Sequence, residues 1–301
     1  MTDKGRLHGQ DAVKRAFSSS DLVVLALTFG LFFVISAVYF FVSYFTSEEF
    51  TSTAHSPWDV AGGIMGALAG SVVVFVLTLL VGMFLVKMQR QTMLGNALQV
   101  EYSDFAWLRD WANDVSADLA MPRVEIFVTQ DPVINAYAFG YVRPYTIVLH
   151  SGSIRYLTKN ELKSVVVHEM AHIKYGHTQA AVYLTPFLVV PVISIAGSWI
   201  AGFWQRRTEL TSDRLALMYM NDAELVKKAL IKVHVGPDVS DAMNETARQW
   251  LHYVAERPMN RFAQTFSTHP FLVRRLAHID KWNKTIEADP PAVQSAQQLR
   301  E

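Results

Sequence analysis

The sequence His168-Glu169-Met170-Ala171-His172 sets two imidazoles four residues apart with a carboxylate beside the first. On a helix, positions i and i+4 leave the same face about one turn apart, so both imidazoles can reach one metal ion. Glu169 then lies beside the open, water-bearing position and can take a proton from that water, whose pKa zinc lowers enough for it to attack a peptide carbonyl. The competing reading is a pair of hydrogen-bonded core histidines. Burying two imidazoles and a carboxylate is costly without partners, and a metal supplies one.

Such a site needs a third protein ligand. One class of zinc protease takes a histidine six residues after the second, with a glycine three residues after it; here those positions are Thr178 and Tyr175, which excludes that class. His177 is nine residues from His168, about half a turn round a continuing helix, and so reads as structural. Farther on, Arg206-Arg207-Thr208-Glu209-Leu210-Thr211-Ser212-Asp213-Arg214 offers two carboxylates, Glu209 and Asp213, four apart on one helix face. One can bind the metal while the other orients a ligand histidine from behind.

These residues need elements to hold them. Thr158-Lys159-Asn160-Glu161 is a capping box, so a helix is expected to start near Lys159 and carry Val165, His168 and His172. Upstream, Phe105 to Leu119 reads as an amphipathic helix and Val124 to Val128 as a strand. Asn135 to Phe139 and Tyr145 to His150 read as a hairpin turning around Arg143-Pro144. The tail 285–301 is polar.

The rest of the chain points to a membrane. Of 301 residues, 51% are hydrophobic and 18% charged, with 27 Lys plus Arg balancing 27 Asp plus Glu. That excludes disorder, and without a basic excess no nucleic-acid partner is expected. The absence of cysteine excludes disulfides, thiolate zinc sites and a catalytic thiol. Two apolar runs, 22–45 and 60–86, are each long enough to cross a bilayer as a helix. The first is too long for a signal peptide and no small-residue cleavage pattern follows it.

Gly62, Gly66 and Gly70 line one face of the second run, where they would admit the first span closely or support a homo-oligomer. Lys4, Arg6, Lys14 and Arg15 precede the first run and Lys87 and Arg90 follow the second, while the loop between carries Glu48, Glu49 and Asp59. The positive flanks put both the N-terminus and everything after Lys87 in the cytoplasm of a multi-pass cell-membrane protein. The expected organisation is an N-terminal segment (1–21), a membrane hairpin (22–86), a zinc peptidase domain (87–284) and the tail.

The chain resembles the HtpX-type membrane zinc metallopeptidases, of gluzincin type, in the larger group that includes the CAAX prenyl proteases. The matching pieces are Asn135-Ala136-Tyr137-Ala138-Phe139-Gly140, the His168 to His172 motif, Glu209 with Asp213, and Thr268-His269-Pro270 followed by Arg275, spread over about residues 90 to 280. The resemblance implies one Zn2+ per chain, held by His168, His172 and Glu209, with Glu169 as general base and Asp213 behind the ligands. It implies His269 as oxyanion donor, with Arg275 either sharing that role or standing with Asp213. It assigns Asn135, Ala136, Tyr137 and Ala138 to a substrate-binding edge, where an extended peptide adds as a strand. The implied fold is mainly α with a small antiparallel β-sheet: a two-span membrane hairpin, then a zincin-like domain.

One departure matters. Only residues 173–208 separate the two ligand helices, and 180–204 within them is apolar. A single crossing would put His172 and Glu209 on opposite sides of the membrane, and two crossings need about 40 residues. The stretch therefore reads as a re-entrant or membrane-surface hairpin, interrupted by Pro186 and Pro191 and anchored by Trp199, Phe203 and Trp204.

The function expected is a membrane-anchored zinc endopeptidase acting on membrane-associated or misfolded polypeptides at the cytoplasmic face. The alternative is an inactive membrane protein that keeps its zinc for structure or partner binding, although structural sites normally have four protein ligands. A channel or transporter would want ionisable residues within the long runs, which have none.

Overall fold

The computed structural model describes residues 3–47, 56–189, 191–267 and 269–288. Residues 1–2, 48–55, 190, 268 and 289–301 lie outside them. Two long apolar helices, α2 (Ser19–Phe45) and α3 (Pro57–Asn96), pack side by side and are long and apolar enough to cross a membrane. Little of either is buried within the protein: Leu27, Val34, Leu77 and Phe84 face outward. Core helices of a soluble domain would be covered, so the solvent these surfaces suit is lipid.

The contact between α2 and α3 is made in a different register from the expected glycine face. Gly63, Ala67 and Ser71, with Gly82 farther on, are the buried residues of α3, and Tyr44 lies against Gly63 with no room for a Cβ. Gly62 and Gly66 face open space, and only Gly70 touches α2, through Phe40. Alanine and serine serve close approach nearly as well as glycine, so counting glycines alone mis-set the register by one residue. Oligomerisation through the Gly62/Gly66/Gly70 face has no support in the structure.

α3 continues well past its apolar run, and Arg90 pairs with Glu125 at 2.6 Å where it meets the sheet. The sheet contains β1 (Leu98–Gln99), β2 (Val124–Thr129), β3 (Ala136–Phe139) and β4 (Tyr145–His150), in the order β1-β2-β4-β3. The mainly helical class with a small sheet stands, but the sheet is mixed rather than antiparallel. β3 and β4 form the antiparallel hairpin, and β4 inserts between β3 and β2, which forces it parallel to β2. Edge strand β3 is thereby left next to the helix layer.

That layer is built from α4 (Ala106–Asp118), the short α5 (Ser151–Tyr156) and α6 (Lys159–Lys174). The capping box is complete: Glu161 N–H donates to Thr158 Oγ1 at 3.3 Å, and Thr158 N–H to Glu161 Oε2 at 2.8 Å. Lys232 also pairs with Glu161 at 2.8 Å, tying the start of α6 to α9 (Ala223–Val235). Leu162, Val166, Val167, Met170 and Ala171 of α6 are buried against the sheet and its neighbours. This leaves the face of Val165, His168 and His172 turned to the site, three and four residues apart.

The apolar insert is a helical hairpin. α7 (His177–Val189) and α8 (Pro191–Met220) pack against each other and against the two long helices. α7 runs through Pro186 without breaking there. α8 then continues without interruption out of the apolar region to carry Glu209 and Asp213.

The N-terminal segment is not separate from the peptidase domain. Helix α1 (Asp3–Ala16) packs on α4 and α8, with Ala12 and Ala16 in the main core. Tyr175 OH donates to Val13 C=O at 2.9 Å, Arg214 Nε donates to Ala16 C=O at 3.1 Å, and Gly9 sits where a Cβ would strike the Asp118 backbone. α1 and the domain therefore lie on the same side of the two long helices. After α9 come α10 (Pro237–Ser240), α11 (Glu245–Ala255), α12 (Pro258–Gln264) and α13 (Leu272–Ala288), the last continuing past the expected start of the tail.

Candidate metal centre

His168 and His172 come from α6, and Glu209 from α8, which packs across it. Their donor atoms converge: His168 Nε2 is 3.3 Å from His172 Nε2 and 3.4 Å from Glu209 Oε2, and His172 Nε2 is 3.6 Å from Glu209 Oε1. Ligands at tetrahedral angles about one zinc ion, with bonds near 2 Å, stand about 3.3 Å apart. The donor set therefore fits a single ion of that size, and it leaves a fourth position open. Among the described residues this is the one group of three such side chains placed to hold a metal.

The far side of each histidine is also engaged. His168 Nδ1 lies 3.0 Å from Asp213 Oδ1, which leaves Nε2 free to point at the ion. Asp213 is gripped by both arms of Arg275, at 2.8 and 2.6 Å, and Arg275 Nη1 reaches Glu209 Oε2 at 3.2 Å. Arg275 is buried, so it clamps the two carboxylates from behind. Of its two expected placements, the structure shows the one beside Asp213. Burial alone would raise both carboxyls, but the guanidinium outweighs it and holds Asp213 and Glu209 well below the usual carboxylate range.

His172 has a partner that sequence reasoning misplaced. α6 ends at Lys174, and Gly176, with φ +74°, starts α7 in a new direction. His177 is therefore not half a turn round the same helix. Its Nδ1 lies 3.2 Å from His172 Nδ1, and Trp204 meets its ring edge-on. The glycine one residue earlier was the signal that helical face-counting could not extend that far.

Burial lowers the His168 imidazole, yet the hydrogen bonds to Asp213 and Glu209 outweigh it and raise the group to about 10. A proton and a divalent cation compete for the same Nε2 lone pair, so metal uptake there releases a proton. His172 is pushed down to about 4, chiefly by burial and despite Glu209. Burial pushes the Glu169 carboxyl up to about 7, with Glu209 adding to the rise and His168, the Ala138 N–H and Arg275 opposing it.

The front of the site is more open. His269 has 63% of its side chain exposed, and its Nδ1 is 3.2 Å from Glu209 Oε1, an interaction that raises its pKa. Asn135, Ala136, Tyr137 and Ala138 line the same cavity of about 510 Å³. Ala138 N–H is bonded to Glu169, and Asn135 Oδ1 accepts from Ala136 N–H at 3.0 Å. Deeper in, Val165, Ala216, Val226 and Leu230 form an apolar end. All the expected site residues thus meet around one cavity, metal donors and their supports behind, His269 and the strand in front.

The sequence model of Peptidase family M48 matches residues 103–200 and 186–283, more than half of the chain. The chloroplast plastoglobule-localized metallopeptidase 48 of Arabidopsis thaliana is 31% identical over 217 residues, 64% of this chain and 62% of that protein. Protease HtpX homologs from Persephonella marina and Paraburkholderia phytofirmans are 27% identical over 118 residues and 22% identical over 262. The first of these alignments covers 38% of this chain and 41% of the relative, the second 75% and 92%. The chain thus spans less than two thirds of two of these three relatives. Among solved structures, S. mikatae Ste24p aligns with a TM-score of 0.44 at 16% identity, over 87% of this chain and 66% of that one. The chain belongs to peptidase family M48.

Proposed function

We propose that this protein is a zinc-dependent endopeptidase, tethered by α2 and α3, that cleaves membrane-associated or misfolded polypeptides at the cytoplasmic face. The observation that carries the reading is the donor triangle of 3.3, 3.4 and 3.6 Å with buried Glu169 lining the same cavity. When bound, zinc supplies Lewis-acid polarisation of a carbonyl and a lowered pKa for water.

The chain's own residues supply the rest. Glu169, with a pKa near neutrality, suits the transfer of a proton from water to the departing amine. His269 faces the cavity from its rim and can donate to the oxygen on which negative charge develops. A substrate strand lying along β3 would meet backbone groups already aligned with Glu169 through Ala138. Asp213 and Arg275 fix the tautomer of His168 and the position of Glu209. The cytoplasmic side is supported by the basic flanks, and by α1 docking on the domain from the same side.

The test is Glu169→Gln in the full chain. Metal content should equal that of the parent, while cleavage of unfolded casein falls by about 10²- to 10⁴-fold, the usual scale for losing a general base. A variant that binds metal and cleaves at the parental rate would refute the assignment. If the parent also binds zinc without cleaving any polypeptide, the zinc serves structure or partner binding instead.

A further inference from the structure

Helices α11 and α12 carry an aromatic surface that the site does not use. Trp250, Tyr253, Met259, Phe262 and Phe266 are all more than half exposed. Their rings fall in two pairs on neighbouring helices. The Trp250 and Tyr253 rings are 5.6 Å apart and those of Phe262 and Phe266 5.3 Å, while Asn260 Nδ2 donates to Val254 C=O to join the two helices. Clusters of exposed aromatics of this size mark an interaction surface.

The position of the patch identifies what covers it. Arg207 of α8 pairs with Asp21 in the first turn of α2, which marks the level at which the first apolar span begins. The adjacent Arg206 donates to the carbonyls of Thr265 and Ser267, at the end of α12. Ser267 C=O also lies 3.3 Å from where a Cβ on Gly202 would stand. Gly202 is five residues before Arg207, or about 7 Å nearer the apolar end of α8 at helical rise. The end of α12 therefore lies on the lipid side of the Asp21–Arg207 pair, level with the exposed Phe203.

The chain that leaves α12 thus reaches the level of the apolar part of α8. The aromatic surface also has the composition of an interfacial element: aromatic rings with Arg248, Arg257, Arg261 and Arg274 against Glu245 and Glu256. The Arg257 guanidinium stacks 5.0 Å over the Tyr253 ring, within reach of headgroups.

We propose that α11 and α12 form a monotopic docking surface for the anionic phospholipid interface, with Met259, Phe262 and Phe266 inserted at the headgroup and acyl boundary. An interfacial helix buries its apolar face by about 5–10 Å, of the same order as the rise along α8 from Arg207 to Gly202. His269 follows α12 by five residues, so the rim of the cavity lies at the lipid surface. The surface then favours substrates whose scissile segment has just emerged from the bilayer. This rests on the reading of α2 and α3 as membrane spans.

The absence of cysteine makes the test direct. Full-length chains with a single cysteine, Met259→Cys or Phe262→Cys, carry an environment-sensitive fluorophore in phosphatidylcholine and phosphatidylglycerol vesicles. Leu27→Cys on α2 and Tyr102→Cys beyond the end of α3 are the lipid and water references. Doxyl-labelled lipid should quench positions 259 and 262 as it does 27, and iodide should quench them several-fold less than 102.

Behaviour like that of Tyr102→Cys at both sites overturns the proposal. So does shielding from both quenchers, which would assign the patch to a second copy, or shielding from iodide only when unfolded casein is added, which would assign it to polypeptide. If the label at 27 is also quenched by iodide alone, the membrane reading fails with it. If 27 behaves as lipid-exposed and 259 and 262 do not, only the docking surface is lost. None of these readouts needs peptidase activity, so a failed endopeptidase assignment would remain distinguishable.

Discussion

The back and the front of the cavity are built on opposite principles. Behind the candidate donors, Asp213 and Arg275 are buried and held by paired charge-assisted bonds, and His168 and His172 each have the second ring nitrogen engaged. In front, His269 is largely exposed and the strand residues border an open cavity. The difference separates what must be fixed before substrate arrives from what substrate completes. A metal site gains by paying its ordering cost during folding, whereas a peptide cleft must stay open to many sequences.

The sharpest way to break the contrast is Arg275→Met. It leaves the Asp213 and Glu209 carboxylates buried without their cation, which should cost about 3–5 kcal/mol of stability. Thermal unfolding of the purified full chain, with metal content measured beside it, checks this. His269→Ala probes the other side. Cleavage rate should fall about 10²-fold or more through loss of an oxyanion donor, with melting temperature and metal content unchanged. If that variant loses metal, His269 belongs to the back and the division is wrong.

His177→Phe is an intermediate case, because it keeps the packing against Trp204 and removes only the partner of His172 Nδ1. Metal affinity, measured by chelator competition, should weaken about 10- to 100-fold. The smallest effect is expected at the start of α6. Burial would raise the Glu161 carboxyl, but Lys232 and Thr158 outweigh it and hold its pKa below the usual value. Its stabilisation is present above the ordinary carboxylate pKa, about 4.3, and is lost as pH falls through the lowered one. Glu161→Gln should therefore be less stable than the parent at pH 7 and should lose less of its remaining stability on acidification, as read by melting temperature against pH.

Legibility in the sequence followed the same division between local and distant causes. The start of α6, the two histidines and the Glu209/Asp213 pair could be read because capping and helical spacing act over four residues. The strand segments could be read, but not their order, since the insertion of β4 between β2 and β3 leaves no local pattern. The small-residue contact of α3 was off by one position because Ala67 and Ser71 carry little signal. The aromatic residues of α11 and α12 drew no expectation, because without α8 as a depth marker nothing said what they met. The docking of α1 was hidden for a related reason: its buried contribution is Gly9, Ala12 and Ala16, whose side chains give almost no hydrophobic pattern.

That docking has a consequence for how the chain is made. The bonds from Tyr175 to Val13 and from Arg214 to Ala16 join residues 162 and 198 positions apart, with both long apolar helices between. During synthesis α1 emerges before both spans and has no partner until α4 and then α8 have followed them out of the ribosome. The core closes late and across a long loop, a slow kind of step. Until then, the Ala12 and Ala16 face of α1 is held on the correct side of the bilayer only by the topology of the spans. Crossing by both spans is thus a folding requirement of the peptidase domain as well as a matter of location, because a chain in which only one of them crossed would leave α1 and α8 on opposite sides of the bilayer and could not complete its core.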